Sequence, residues 1–196
     1  WDRHQLCRKL QARIVRYADD FVVLCRGEVD EPLAAVRHIM QRLDLTLNET
    51  KTHIVDAKQE SFNFLGFEIR VSKGLKSGKE YPHVSPAPKS LAKVKQRIKQ
   101  LTARERTPIP LEAIVGSINA TLRGWSSYFH YRNCSHVLGK VRTHAEERLR
   151  THLMRRHKVK DRGIGLGRFP SQQLYTKYGL YKVPTTAGWK TAHASV

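Results

Sequence analysis

The chain has 196 residues, with 36 Lys plus Arg against 17 Asp plus Glu and a formal net charge of +19. At 40% hydrophobic it can build a core, so it is not a disordered basic tail. No apolar run of about 18 residues occurs, which excludes a transmembrane helix and leaves a polyanion, nucleic acid first and an anionic membrane surface second, as the expected partner.

Residues 13–26 read as strand, tight turn, strand. β-branched and aromatic residues flank Ala18-Asp19-Asp20, and Asp is poor in strands and good in turns, so the carboxylates belong at a hairpin tip. A helix is predicted from about Glu31 to Leu43, capped by Asp30 with Pro32 in its first turn. Leu33, Val36, Ile39, Met40 and Leu43 define its apolar face. Leu45-Thr46-Leu47-Asn48 leads to a second β pair, Lys51 to Asp56 and Phe62 to Val71. Gly66 lies inside the second of these strands, at a bulge or a close backbone approach. The order β-β-α-β-β suits a sheet with a helix on one face.

Residues 73–88 mix Gly, Pro and Lys and read as a basic linker or hairpin loop. The chain then turns helical. Leu91, Val94, Ile98 and Leu101 form one stripe, with Lys89, Lys93, Lys95, Arg97, Lys99 and Arg104 around it. Pro108 and Pro110 separate this helix from a second, along which Leu111, Ile114, Val115, Ile118, Leu122, Trp125 and Phe129 continue the pattern. A third helix runs from about Val137 to His157, with Val137, Val141, Ala145, Leu149 and Leu153 on one face, making a small three-helix bundle. These helices carry core-packing faces rather than the bulky face of an interfacial helix, so no membrane partner is expected. Residues 159–196 read as a basic, aromatic tail (Tyr175, Tyr178, Tyr181, Trp189), in which Gly163 to Gly167 match no nucleotide-loop pattern and form a flexible loop.

Cys7, Cys25 and Cys134 are odd in number and make no CxxC pair, so neither a disulfide framework nor a zinc site is expected. A reducing compartment fits best. The start, Trp1-Asp2-Arg3-His4, shows no secretory signal.

Two carboxylates on a stiff hairpin in a basic protein form a place to hold Mg²⁺, a hard ion that favours carboxylate and phosphate oxygens. Two such ions about 3.5–4 Å apart can clamp both oxygens of a phosphoryl transfer.

Three boxes then stand in order: Tyr17-Ala18-Asp19-Asp20, Leu45-Thr46-Leu47-Asn48-Glu49-Thr50-Lys51-Thr52, and Phe64-Leu65-Gly66-Phe67. With Leu122-Arg123-Gly124-Trp125-Ser126-Ser127-Tyr128-Phe129 and Gly179-Leu180-Tyr181, they resemble the reverse transcriptase–maturases encoded by group II introns. The resemblance covers nearly the whole chain. It implies an α+β fold: a partial reverse-transcriptase palm (β-hairpin, helix, β-hairpin) over 1–72, then linker 73–88, then a three-helix thumb/maturase bundle over 89–158.

It implies RNA-directed DNA polymerisation from dNTPs, with intron RNA and template–primer as partners and assistance to splicing. Asp19 and Asp20 would bind two Mg²⁺ ions jointly with an upstream Asp. Tyr17 and Ala18 would lie near the nucleotide or primer end. Lys51 would donate a proton to the leaving pyrophosphate or contact a phosphate, or else is a strand-edge surface lysine. Phe64, Leu65, Gly66 and Phe67 would position the primer strand, or form a core strand, or both.

In the bundle, Lys89, Lys93, Arg97 and Arg123 would lie along phosphates, as would the run Arg155, Arg156, Lys158, Lys160 and Arg162. Tyr128 and Tyr131 are the base-stacking candidates, whereas Trp125 and Phe129 fall on the apolar stripe and read as core. The family's fingers and further catalytic Asp precede its YADD by tens of residues, and only 16 residues precede Tyr17 here. The chain is therefore expected to correspond to the C-terminal half and to be at most weakly active unless an N-terminal half joins it. The alternative is a non-catalytic RNA-binding maturase remnant that only assists intron folding.

Overall fold

The computed structural model describes residues 6–186. The chain divides after Asp56 into two compact units. No helix among the described residues is long and apolar enough to cross a membrane.

The first unit holds α1 (Leu6–Lys9), β1 (Ala12–Tyr17), β2 (Asp20–Cys25) and α2 (Asp30–Arg42). β1 and β2 pair antiparallel from Ala12↔Cys25 to Tyr17↔Asp20, as the β-branched Ile14, Val15, Val22 and Val23 favour. Asp30 is not the cap of α2. Val29 holds that position without a side-chain bond, and Asp30 and Glu31 lie in the first turn, where carboxylates meet the positive helix end. Leu43, expected on the apolar face, lies past the last turn and is exposed.

The strand expected over Lys51–Asp56 does not form. Asn48 organises a turn there instead. Its carbonyl accepts from the Lys51 and Thr52 amides, both at 3.0 Å, and from the Thr52 hydroxyl at 2.9 Å. Its side-chain Oδ1 accepts from the Thr50 hydroxyl at 2.7 Å. Asn and Thr side chains that bond nearby backbone compete with strand pairing.

The second unit opens with an antiparallel sheet of β3 (Phe62–Phe64), β4 (Phe67–Lys73) and β5 (Glu80–Pro86) in that order. The single strand expected from Phe62 to Val71 is thus a hairpin. Phe64 pairs with Phe67, and Leu65 and Gly66 make a two-residue turn at φ 51° and 79°. Positive φ at both central residues matches the twist of a tight hairpin, and a leucine there hides it from composition. Residues 73–88 divide between a short loop, closed by the Gly74 amide on the Lys79 carbonyl at 2.9 Å, and β5. β5 is an edge strand, which suits Pro82 and Pro86. Between them, Val84 bonds outward to Asn133 through both its amide (3.2 Å) and its carbonyl (3.0 Å).

α3 (Pro88–Leu101), α4 (Leu111–Phe129) and α5 (Ser135–Arg156) follow, with Arg104–Arg106 as a 3-10 turn between the first two. Their core contains Val94, Ile98 and Leu101, then Ile114, Ile118 and Leu122, then Leu138, Val141, Ala145, Leu149 and Leu153. Val137 is only half-buried, and Leu138 takes its expected place.

Gly163 to Gly167 are not a flexible loop. They lie in α6 (Arg162–Arg168), whose start is capped by Asp161 accepting the Ile164 amide at 2.7 Å. Gly165 is buried so closely against Met154 that a Cβ there would overlap its sulfur. α7 (Ser171–Thr176) follows. The expected tail is part of the core, through Phe169, Leu174, Leu180 and Val183. Trp189 lies outside the described residues.

Candidate catalytic hairpin and nucleic-acid interface

Within the first unit, Ala18 and Asp19 form the two-residue turn and Asp20 opens β2. Ala18 is held at φ 50°, and the Arg16 guanidinium donates to its carbonyl at 2.9 Å. Residues paired across a ladder share a face. The register therefore puts Tyr17 and Asp20 on one face with Val15, Val22 and Leu24. Tyr17 is 65% exposed, and Asp19 and Asp20 are open to solvent. Lys51 is also exposed, in the turn that Asn48 organises rather than on a strand.

Asp19 and Asp20 are oxygen donors of the kind Mg²⁺ prefers. No group of three His, Cys, Asp or Glu able to hold a metal occurs among the described residues. A pair of carboxylates fits the usual protein share of a Mg²⁺ site, in which waters and substrate phosphates fill the other positions.

In the second unit, the Leu65-Gly66 turn is held by the helices. The Gly66 carbonyl accepts from the Ala87 amide and from the Ser90 hydroxyl, both at 2.9 Å. The Leu65 carbonyl accepts from the Tyr128 hydroxyl at 3.0 Å. Phe129 closes the space beside Gly66, where a Cβ would stand 3.2 Å from its ring. Phe67 packs against Tyr128, Phe129 and Tyr131 with ring centroids 5.7, 5.0 and 6.4 Å away. Phe129 is buried, as its place on the stripe requires. Trp125 lies 4.6 Å from it, with its indole N–H buried and unpaired. Ser90 and Ala87 carried no signal in the sequence, because their role depends on a turn far along the chain.

Lys89, Lys93 and Arg97 are exposed at four-residue spacing on α3, which sets them about 6 Å apart along its axis. Lys158, Lys160 and Arg162 are exposed as well. Arg123 is exposed and lies over the Tyr181 ring at 5.1 Å. Tyr128 is 55% exposed and Tyr131 36%, each with part of its surface free.

Other cations hold the bundle together. Arg156 donates to the Thr107 and Ile109 carbonyls, both at 2.6 Å, which ties down the connection between α3 and α4. Arg148 and Arg155 each donate to the Thr102 carbonyl at 3.3 Å. Cations at the carbonyl end of α3 meet the negative pole of the helix. Between them His152 is fully buried, and neither ring nitrogen makes a well-aligned hydrogen bond. Burial, with the charges of Arg156 and Arg155 and against the Thr102 backbone, holds this imidazole below its ordinary value.

Arg150 is buried and donates to the Phe169 carbonyl and the Ser171 hydroxyl, both at 2.9 Å. Glu146 accepts from Ser171 at 2.6 Å and from the Tyr175 hydroxyl. The Tyr175 phenol is pushed up by burial and by that bond to Glu146.

Two family profiles match the chain. The reverse transcriptase (RNA-dependent DNA polymerase) profile matches residues 3–69. The profile of the group II intron maturase-specific domain matches residues 91–168. No curated protein matches the chain.

Proposed function

For a chain that belongs to the group II intron reverse transcriptase/maturase family, we propose RNA-directed DNA synthesis at the Tyr17–Asp20 hairpin. The helical domain binds intron RNA and the template–primer duplex and assists splicing. The observation that carries this reading is the turn itself: Ala18-Asp19 closes a paired hairpin and leaves two adjacent carboxylates exposed at its end.

Asp19 and Asp20 would hold Mg²⁺, which when bound supplies charge neutralisation to the oxygens of the transferring phosphoryl group. The chain's own residues do the rest. Tyr17, on the face it shares with Asp20, offers a ring against the nucleotide or primer end. Lys51 offers an ammonium to a phosphate. The Phe64–Phe67 hairpin carries the primer strand. Exposed Lys89, Lys93, Arg97, Lys158, Lys160 and Arg162 bind phosphates without reading sequence. Tyr131 and the open side of Tyr128 offer stacking surfaces to unpaired bases.

A second reading, a maturase that binds intron RNA without polymerising, is favoured by one observation. Between residues 6 and 56 only Ala12, Pro32 and Val36 are buried, whereas the bundle has a full core.

Primer extension on an RNA template with Mg²⁺ separates the two. The polymerase reading expects extension that is lost in Asp19→Asn and Asp20→Asn. A folded chain that binds and helps splice intron RNA but extends no primer supports the second reading.

A further inference from the structure

We propose that Tyr128 and Ser90 are positioning residues that set the primer-facing turn of the Phe64–Phe67 hairpin. The inference rests on the polymerase reading above. Both carbonyls of the two-residue turn are occupied, and both by side chains of the helical domain. Ser90, in the first turn of α3, holds Gly66, and Tyr128, near the end of α4, holds Leu65. The Ala87 amide doubles the grip on Gly66.

Gly66 also has no spare room. A Cβ there would stand 3.1 Å from the Ser90 oxygen and 3.2 Å from the Phe129 ring. The turn is therefore seated in a socket built from two helix ends, rather than held only by its own two strands. The third strand, β5, pairs with β4 but does not reach the turn itself, and a turn meant to hold a nucleic-acid end needs support from behind. The helices supply it. The Tyr128 ring packs on Phe67 and Phe129 independently of its hydroxyl, so the two contributions can be separated.

The test uses the full chain and an RNA-template/DNA-primer duplex with 2-aminopurine at the primer 3′ end. Duplex affinity is read by anisotropy and the primer end by 2-aminopurine fluorescence. Tyr128→Phe removes the hydroxyl and keeps the ring. Ser90→Ala leaves the Ala87 amide on Gly66. Both variants are expected to move the primer-end fluorescence at saturating occupancy of the duplex, and the double variant to move it further. Lys93→Ala is the opposite control, with weaker binding and an unchanged primer-end signal at saturation. A wild type that binds the duplex, with variants whose primer-end signal stays at the wild-type value, overturns the positioning role alone. A wild type that binds no duplex overturns the polymerase reading and this role with it. A loss of affinity in Tyr128→Phe equal to that of Lys93→Ala, with no primer-end change, assigns Tyr128 to ordinary nucleic-acid contact and also overturns the proposal.

Discussion

Asn119 holds Tyr181 by its backbone. The Asn119 Oδ1 accepts the Tyr181 amide at 2.7 Å, while its Nδ2 donates to the Gly179 carbonyl at 2.8 Å. One side chain thus satisfies an acceptor just before and a donor just after Leu180, which with Val183 is buried in the bundle core. Arg142 repeats the device farther on, donating to the Val183 carbonyl and the Thr185 hydroxyl.

Asn119→Ala is expected to cost about 1–2 kcal/mol, because two backbone groups lose their partners at once. Asn119→Asp keeps the acceptor but sets a carboxylate oxygen against the Gly179 carbonyl, so it should cost at least as much. Urea unfolding measures both. Changes below about 0.3 kcal/mol, the scatter of independent sites, would mean that Asn119 does not help to hold the segment.

Stability should fall on acidification, and His152 should carry part of that fall. The folded chain holds this imidazole below its ordinary value of 6.5, so the unfolded chain binds the proton more tightly. The contribution is complete above the unfolded value and is lost as pH drops from there through the folded value. His83 and His144 are shifted in the same direction, chiefly by burial, and add to the slope. His152→Leu should therefore flatten, without abolishing, the loss of urea midpoint between about pH 7.5 and about pH 5. An unchanged slope would show that His152 binds its proton equally tightly in the folded and the unfolded chain.

The two turns predict substitutions of opposite sign. Ala18 sits at φ 50°, where an L-residue is strained by about 1–2 kcal/mol, and glycine returns part of that as chain entropy. Ala18→Gly should stabilise the hairpin by about 0.5–1 kcal/mol, read as slower amide exchange in β1 and β2. Gly66→Ala should destabilise by about 1–2 kcal/mol from the backbone alone, with more from the contact with Phe129. A stabilising Gly66→Ala would mean that the turn is not held as described.

The cations should divide into two classes. Lys93→Ala and Arg97→Ala leave the fold unchanged and lower the slope of log affinity for RNA against log salt by about one each. Arg156→Ala should instead lower the unfolding midpoint, because two carbonyls of the α3–α4 connection lose their donor. Equal effects of all three on the salt slope, with no change in stability, would contradict the separation.

The amino-acid sequence by itself determined the hairpin with its two carboxylates, the three long helices and the basic surface. Each is written in neighbouring residues: Asp in a turn between β-branched strands, apolar spacing near 3.6, Pro110 ahead of a helix, and Lys89, Lys93 and Arg97 four apart. Tertiary structure decided the rest. Leu65 carries no sign of a left-handed conformation, and the turn it makes is stabilised by Tyr128 and Ser90, far away in the chain. Lys51–Asp56 had strand composition, but the Asn48 carbonyl and side chain bound the backbone and hydroxyls at its start. The glycine run at 163–167 became helix because Asp161 caps it and Met154 packs on Gly165. An arginine on the surface of a helix looks the same in sequence whether it meets a phosphate or a carbonyl. Only the position of the α3 end separates Arg156 from Lys93, because a hydrogen bond between distant segments depends on where both of them fold.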